Sequence, residues 1–230
     1  MFSSLGKTFK NGDFRIFVGQ DIIYWFGLAM FQTGLAFFVT SLLHLPETWT
    51  TYMMGGLTFV SLAFYPFITK MTAKWGKKKL LIAAFIGFFL TFGVTALCGD
   101  MLGFIPVQIQ AVIIVLLGSF PQAIFGIIPQ TIVADIALSD EIKTGESRSG
   151  MFYAARTFAM KLGQSLAMLM FTSLATIGVA KTAVNASSQA AGSPTGYRIV
   201  ALVAALCCLA GGIIMTFFNE KKVMETIEKK

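Results

Sequence analysis

LLIAAFIGFFLTFGVTALC, residues 80–98, carries no charged side chain. At 1.5 Å rise per residue, about 20 residues of this kind cross the hydrocarbon core of a bilayer as an α-helix. The stretch therefore predicts a membrane span. Five more segments of similar character lie near 15–43, 51–70, 106–133, 150–178 and 197–218, and the connections between them are rich in Gly, Pro, Asn or charge. The expected fold is an all-α membrane protein with a six-helix bundle over 15–218, a polar segment 1–14 before it and a tail 219–230 after it. The first, fourth and fifth segments are long enough to be tilted or kinked, and Pro66, Pro121 and Pro129 are the candidate kink positions.

Composition supports the same reading. With 56% apolar residues, 13% charged residues and 23 Phe in 230, the chain has more apolar surface than a soluble domain of this size could bury. The net charge of +7 belongs with the inner side of a membrane protein and not with nucleic acid. Cys98, Cys207 and Cys208 fall inside apolar runs, so no structural disulfide is expected. No removable signal peptide is expected either, because MFSSLGKTFKNGDFR is polar and basic without a small-residue cleavage site.

The basic residues set an orientation. With the N-terminus inside, the inner segments carry Lys7, Lys10, Arg15, Lys70, Lys74, Lys77, Lys78, Lys79, Lys143, Arg148, Lys221, Lys222, Lys229 and Lys230. The outer loops hold only Lys181 and Arg198, which predicts that both termini are cytoplasmic. The longer outer loop, KTAVNASSQAAGSPTG at 181–196, reads as a flexible connector. Any relation between spans one to three and four to six would be an inverted repeat.

Polar side chains within the spans mark the wet face, since acyl chains offer them no hydrogen bonds. Asp21, Tyr24, Leu28 and Gln32 form one helical stripe, expected to face a cavity; Asp21 is also close enough to the inner end to be solvated there, and Tyr24 could be an interfacial anchor. Gln110, Ser119, Gln122 and Gln130 lie on the fourth span, where each glutamine could face a substrate path or tie helices together. On the fifth span Thr157, Lys161, Gln164, Ser165 and Met168 share a face, with Tyr153 and Arg156 nearer the inner end. A lysine near the bilayer centre costs roughly 3 kcal/mol on insertion scales. Lys161 therefore points to a water-lined cavity in which it meets a polar substrate or a carboxylate, with a snorkelling structural lysine as the alternative.

Two connections carry the most specific patterns. ITKMTAKWGKKKLL, residues 68–81, is a short basic turn in which Gly76 supplies the tight bend. PQTIVADIALSDEIKTGESRSGMFYAARTFAMKLG, residues 129–163, places Asp135, Asp140, Glu141 and Glu146 among Lys143 and Arg148, a composition suited to inner-side charge clusters between helices. This second segment resembles the signature of the glycoside–pentoside–hexuronide:cation symporters, the melibiose permease relatives within the major facilitator superfamily. The resemblance rests on Val133-Ala134-Asp135, Asp140-Glu141-Ile142-Lys143-Thr144-Gly145, Arg148-Ser149-Gly150 and Lys161-Leu162-Gly163. KWGKKK resembles the family's basic loop between its eighth and ninth helices, and FKNGDFRIFVGQ at 9–20 resembles the entry into its seventh.

That family has twelve spans in two halves, and this chain corresponds to the C-terminal half. The resemblance implies a half-transporter performing sugar (glycoside):cation symport by alternating access, coupled to sodium or protons. It also implies that Lys161 faces the central cavity and that Asp135, Asp140, Glu141 and Arg148 act in inner-side gating. The family's cation carboxylates lie on the other half, so no ion ligand carries over. The expected substrate-binding set is Lys161, Gln164, Thr157, Tyr24, Gln32, Gln122 and Asp21; Arg156 is grouped with the inner salt bridges. No cofactor, metal site or enzyme constellation is expected, and the lone His44 reads as a surface imidazole. The expected partners are the lipid bilayer, a small-molecule substrate and a second six-helix half, which would be a separate chain, a second copy or the remainder of a longer chain. Met1 and the charged end EKKVMETIEKK read as natural termini, favouring the separate chain. A bacterial inner membrane is the expected location. The competing readings are a carrier of a lipid-like or other amphipathic solute, and a non-transporting remnant or assembly partner.

Overall fold

A computed structural model describes residues 6, 8–178 and 192–228. The expectations for Met1, Lys7, Lys181, Lys229, Lys230 and most of the 181–196 connector lie outside the described residues. Six helices are long and apolar enough to cross a membrane. They are α1 (Gly12–Phe37, prolonged by a π-helical turn Phe38–Leu42), α2 (Thr48–Trp75), α3 (Lys77–Leu97), α4 (Val107–Thr144), α5 (Ser149–Ala175) and α6 (Pro194–Thr216). A short α7 (Glu220–Glu228) follows, so the expected tail is helical, and its Val223 is buried. Among the described residues there is no strand.

Local chemistry sets the ends. Asn11 caps α1, its side chain accepting from the Phe14 N–H at 3.2 Å, so the helix begins at Gly12 and not near 15. Gly76, at φ 81°, takes the left-handed turn between α2 and α3, and α2 accordingly runs past the expected 70 to Trp75. Ser193 caps α6 by accepting from the Gly196 N–H at 2.9 Å, with Pro194 in the first turn. The largest departure is α4. It continues beyond the expected 133 to Thr144 and stops at Gly145, whose backbone is left-handed (φ 70°) and whose N–H reaches the Glu141 carbonyl at 2.8 Å. Its charged second part reads as a loop by hydropathy, yet hydropathy measures lipid compatibility, and a helix can leave the bilayer without ending. Pro66, Pro121 and Pro129 all lie inside continuous helices.

The packing follows a two-fold pattern. α1 lies against α5 and α6, α4 lies against α2 and α3, and α3 and α6 lie against each other. Exchanging α1 with α4, α2 with α5 and α3 with α6 maps this arrangement onto itself. Because successive spans alternate in direction, the two three-helix units run oppositely, which is the inverted repeat of carrier bundles. Small residues permit the close approaches. Gly27 of α1 sits where an added Cβ would lie 3.2 Å from the Ala204 carbonyl oxygen of α6, and Gly163 of α5 sits where it would lie 2.6 Å from the Ile22 carbonyl oxygen of α1. Aromatic rings fill the middle: Tyr24 of α1 stacks on Phe125 of α4 with centroids 3.7 Å apart, and Phe31 stacks on Phe92 of α3 at 4.3 Å.

The α1–α5 seam gives a test. Gly163→Ala forces the two backbones apart and should cost about 1–3 kcal/mol, read as a lower thermal midpoint in detergent. Gly93→Ala in α3, where nothing lies within 4 Å, should be neutral or stabilising in the same assay.

Candidate functional site

Large apolar side chains are exposed on α2 to α6, among them Phe59 and Phe67 of α2, Leu116 of α4 and Phe158 and Leu169 of α5. α3 and α6 turn outwards Ile86, Leu90 and Leu97, and Leu202, Leu206, Leu209, Ile213 and Phe217. A face of this composition suits acyl chains. α1, α2, α4 and α5 carry the exposed or half-exposed polar side chains Gln32, Thr58, Gln122, Gln130, Thr157, Lys161 and Gln164. Only 22% of the apolar window of α2 and 28% of that of α5 is buried, against 50% for α1, α3 and α4, so α2 and α5 stand at the margins of the bundle.

Three contacts place these polar groups on one side. Gln32 of α1, Thr58 of α2, Thr91 of α3 and Gln122 of α4 line a single cavity of about 180 Å3, together with Phe31, Phe88 and Phe92. The Thr33 hydroxyl of α1 lies 3.4 Å from the Met168 sulfur of α5. The Tyr153 hydroxyl of α5 donates to the Gln130 carbonyl of α4 at 3.5 Å. Lys161 lies between Tyr153 and Met168 on α5 and does not line that cavity, whose walls come from α1 to α4. It is exposed, near the middle of a helix of 27 residues, and has no ion-pair or hydrogen-bond partner among the described residues. Its Cα is ~18 Å along the helix from Ser149, about half a hydrocarbon thickness.

The first-span stripe needs correction. Asp21, Tyr24 and Leu28 are buried in the bundle, and only Gln32 of the stripe is exposed. Asp21 is neither solvated nor open to a cavity. It is fully buried and paired with Arg156 of α5, whose Nε donates to Oδ2 at 3.1 Å and whose Nη2 donates to Oδ1 at 3.4 Å. The guanidinium also lies 5.8 Å from the centroid of the Phe17 ring. The two-point geometry fits a planar fork on a carboxylate, and the pair closes the α1–α5 seam a turn or two from Gly163. Tyr24 belongs to the aromatic core and is no interfacial anchor. Gln110 is also structural: its Oε1 accepts from Gly99 N–H at 2.7 Å and its Nε2 donates to the Leu102 and Ile105 carbonyls at 3.1 and 2.8 Å, tying the α3–α4 connection.

The remaining charged candidates gather at the end of the bundle where α1, α3 and α5 begin. Lys77 of α3 pairs with Asp135 of α4. Asp140 of α4 forms an ion pair with Arg148, N to O 2.9 Å, and accepts from the Asn11 side chain at 3.1 Å, joining α4 to the starts of α5 and α1. Glu146 lies 3.6 Å from Arg148, and Glu141 has no ion-pair partner among the described residues. Sequence reasoning did not single out Lys77, Asn11 or Glu220 individually. Asn11 was detectable as an asparagine just ahead of a helix. The partner of Glu220 was not, because its carboxylate accepts from the backbone N–H groups of Lys77 and Lys78 at 2.7 and 2.9 Å, a contact across most of the chain.

The Asp21–Arg156 pair can be weighed by a double-mutant cycle. Asp21→Asn or Arg156→Gln alone leaves a buried charge unmatched and should cost about 3–5 kcal/mol, while the double substitution should recover much of that loss. The thermal midpoints of the detergent-solubilised variants read the coupling.

A family model described as MFS/sugar transport protein matches residues 1–222. No curated protein and no solved structure matches the chain. Six apolar spans in an inverted repeat, one polar face and this match agree with one another: the chain is an integral membrane protein of the major facilitator superfamily and belongs to its sugar-transport family.

Proposed function

We propose that this chain is one six-helix half of a sugar:cation symporter of the melibiose permease type, its C-terminal half, working by alternating access against a second bundle. The observation that carries the reading is Lys161. An exposed ammonium in the middle of a membrane-spanning helix, without a partner among the described residues and one turn from Gln164, needs water, substrate or protein over it. A second six-helix bundle over the α1, α2, α4 and α5 face supplies that cover, whether it is a separate chain, another copy or the remainder of a longer chain. Substrate then lies between the bundles, with sugar hydroxyls bonded by Lys161, Gln164, Gln122, Gln32 and Thr157. Asp21 and Tyr24 are left out of this set because the bundle already uses them. The coupling ion, sodium or a proton, is held on the other half.

The excess of Lys and Arg at the end where α1, α3 and α5 begin supports a cytoplasmic position for that end, in a bacterial inner membrane. The Asp140–Arg148 and Asp135–Lys77 pairs then serve the inner gate, holding the helix ends while one bundle rocks against the other. A second reading, a lipid-like or other amphipathic cargo, draws on the rings of Phe31, Phe88 and Phe92 in the cavity wall.

Uptake of labelled glycosides into vesicles tests the proposal. Lys161→Ala should lower uptake tenfold or more, roughly the 1.5–3 kcal/mol of a hydrogen bond to a charged group, with little change in thermal midpoint. Unchanged uptake would remove Lys161 from the site, and competition by lysophospholipid but by no sugar would favour the amphipathic cargo. Cysteines placed at Lys161 and Gln122 should cross-link to a second bundle in native membranes; failure of both to do so would count against a covered face.

A further inference from the structure

A second basic feature lies away from the polar face, where the α2–α3 turn meets the α6–α7 corner. The two are clamped together: the Glu220 carboxylate accepts from the Lys77 and Lys78 backbone N–H groups, and the Lys78 ammonium donates to the Thr216 carbonyl at 2.6 Å. The clamp leaves a cavity of about 750 Å3, lined by Lys74, Lys78, Lys79 and Lys221 with Glu220 as its one carboxylate. That carboxylate is occupied by the turn it caps. Lys74, Lys79 and Lys221 are exposed and have no partner among the described residues. Trp75 and Phe217 line the same cavity and are 50% and 70% exposed.

We propose that this cavity binds the phosphate headgroup of an anionic phospholipid. Three features select a lipid over a free anion or an acidic protein. The lining sits at the ends of helices long and apolar enough to cross a membrane, and the headgroup layer flanks such ends. Its exposed Trp and Phe are the residue types that belong at that level, where an amphipathic ring meets both glycerol and acyl chain. And Phe217 continues the apolar outer face of α6 through Ile213 and Leu209, so a headgroup held by the lysines leaves its tails on the lipid side of the bundle. Basic pockets between helix ends are suited to anionic headgroups, since each nearby lysine adds electrostatic attraction. Occupancy neutralises lysines that otherwise repel one another across the turn and thereby strengthens the α2–α3 to α6–α7 clamp.

The test is a lipid titration of the full chain in mild detergent, followed by native mass spectrometry. Phosphatidylglycerol adducts should be retained in preference to phosphatidylcholine, and Lys74→Gln, Lys79→Gln and Lys221→Gln should each weaken retention roughly fivefold. These lysines make no intramolecular bond among the described residues, and the triple Lys→Arg variant, which keeps the charge, should retain the lipid. Equal retention of phosphatidylcholine, or unchanged phosphatidylglycerol binding by the triple Gln variant, overturns the proposal. So does binding of inorganic phosphate with no lipid adduct, which would mark a free-anion site.

Discussion

Two cations on α5 stand five residues apart and meet the low-dielectric membrane in opposite ways. Arg156 is buried against Asp21 within the chain, so its charge is matched before any other molecule arrives. Lys161 has no such match among the described residues, and lipid at its depth would cost roughly 3 kcal/mol. The exposed or half-exposed Gln32, Gln122 and Gln164 add to that cost, because an amide facing hydrocarbon loses its hydrogen bonds. No comparable penalty exists on the outer sides of α3 and α6, where the exposed side chains are Leu, Ile and Phe. The exposed and half-exposed glutamines and Lys161 thus lie on α1, α4 and α5, while the outer sides of α3 and α6 carry Leu, Ile and Phe.

Much of this was legible in the sequence. Six spans follow from apolar length. The order of short motifs from Val133 to Gly163 pointed to the superfamily. Two things were misread, for one reason. Helical spacing shows that Asp21, Tyr24 and Gln32 share a stripe but not which way the stripe turns, and Asp21 turns inward because its partner lies 135 positions later. The charges of 135–144 suggested a loop because their partners, Lys77, Asn11 and Arg148, are also remote or across a turn. Polar residues reveal their role only through what they bond, and the partners of Asp21 and Asp135 lie far away in the chain.

The helix ends are fastened by complementary charge. Glu220 sits at the start of α3, where free N–H groups gather positive potential, and Lys78 sits at the end of α6, where carbonyls gather the opposite. Asn11 both caps α1 and holds Asp140. The connections at this end are thereby part of the framework.

α4 gives that framework a lever. As one unbroken helix of 38 residues it is ~57 Å long, nearly twice the hydrocarbon thickness, despite two internal prolines. A swing of 10° about its centre carries its tip about 5 Å by the same rise per residue. Asp135 and Asp140, ~14 and ~22 Å from that centre, move by about 2.5 and 4 Å, so motion of this rod relative to α3 and α5 would stretch both ion pairs in the same stroke, as two teeth on a single ratchet arm.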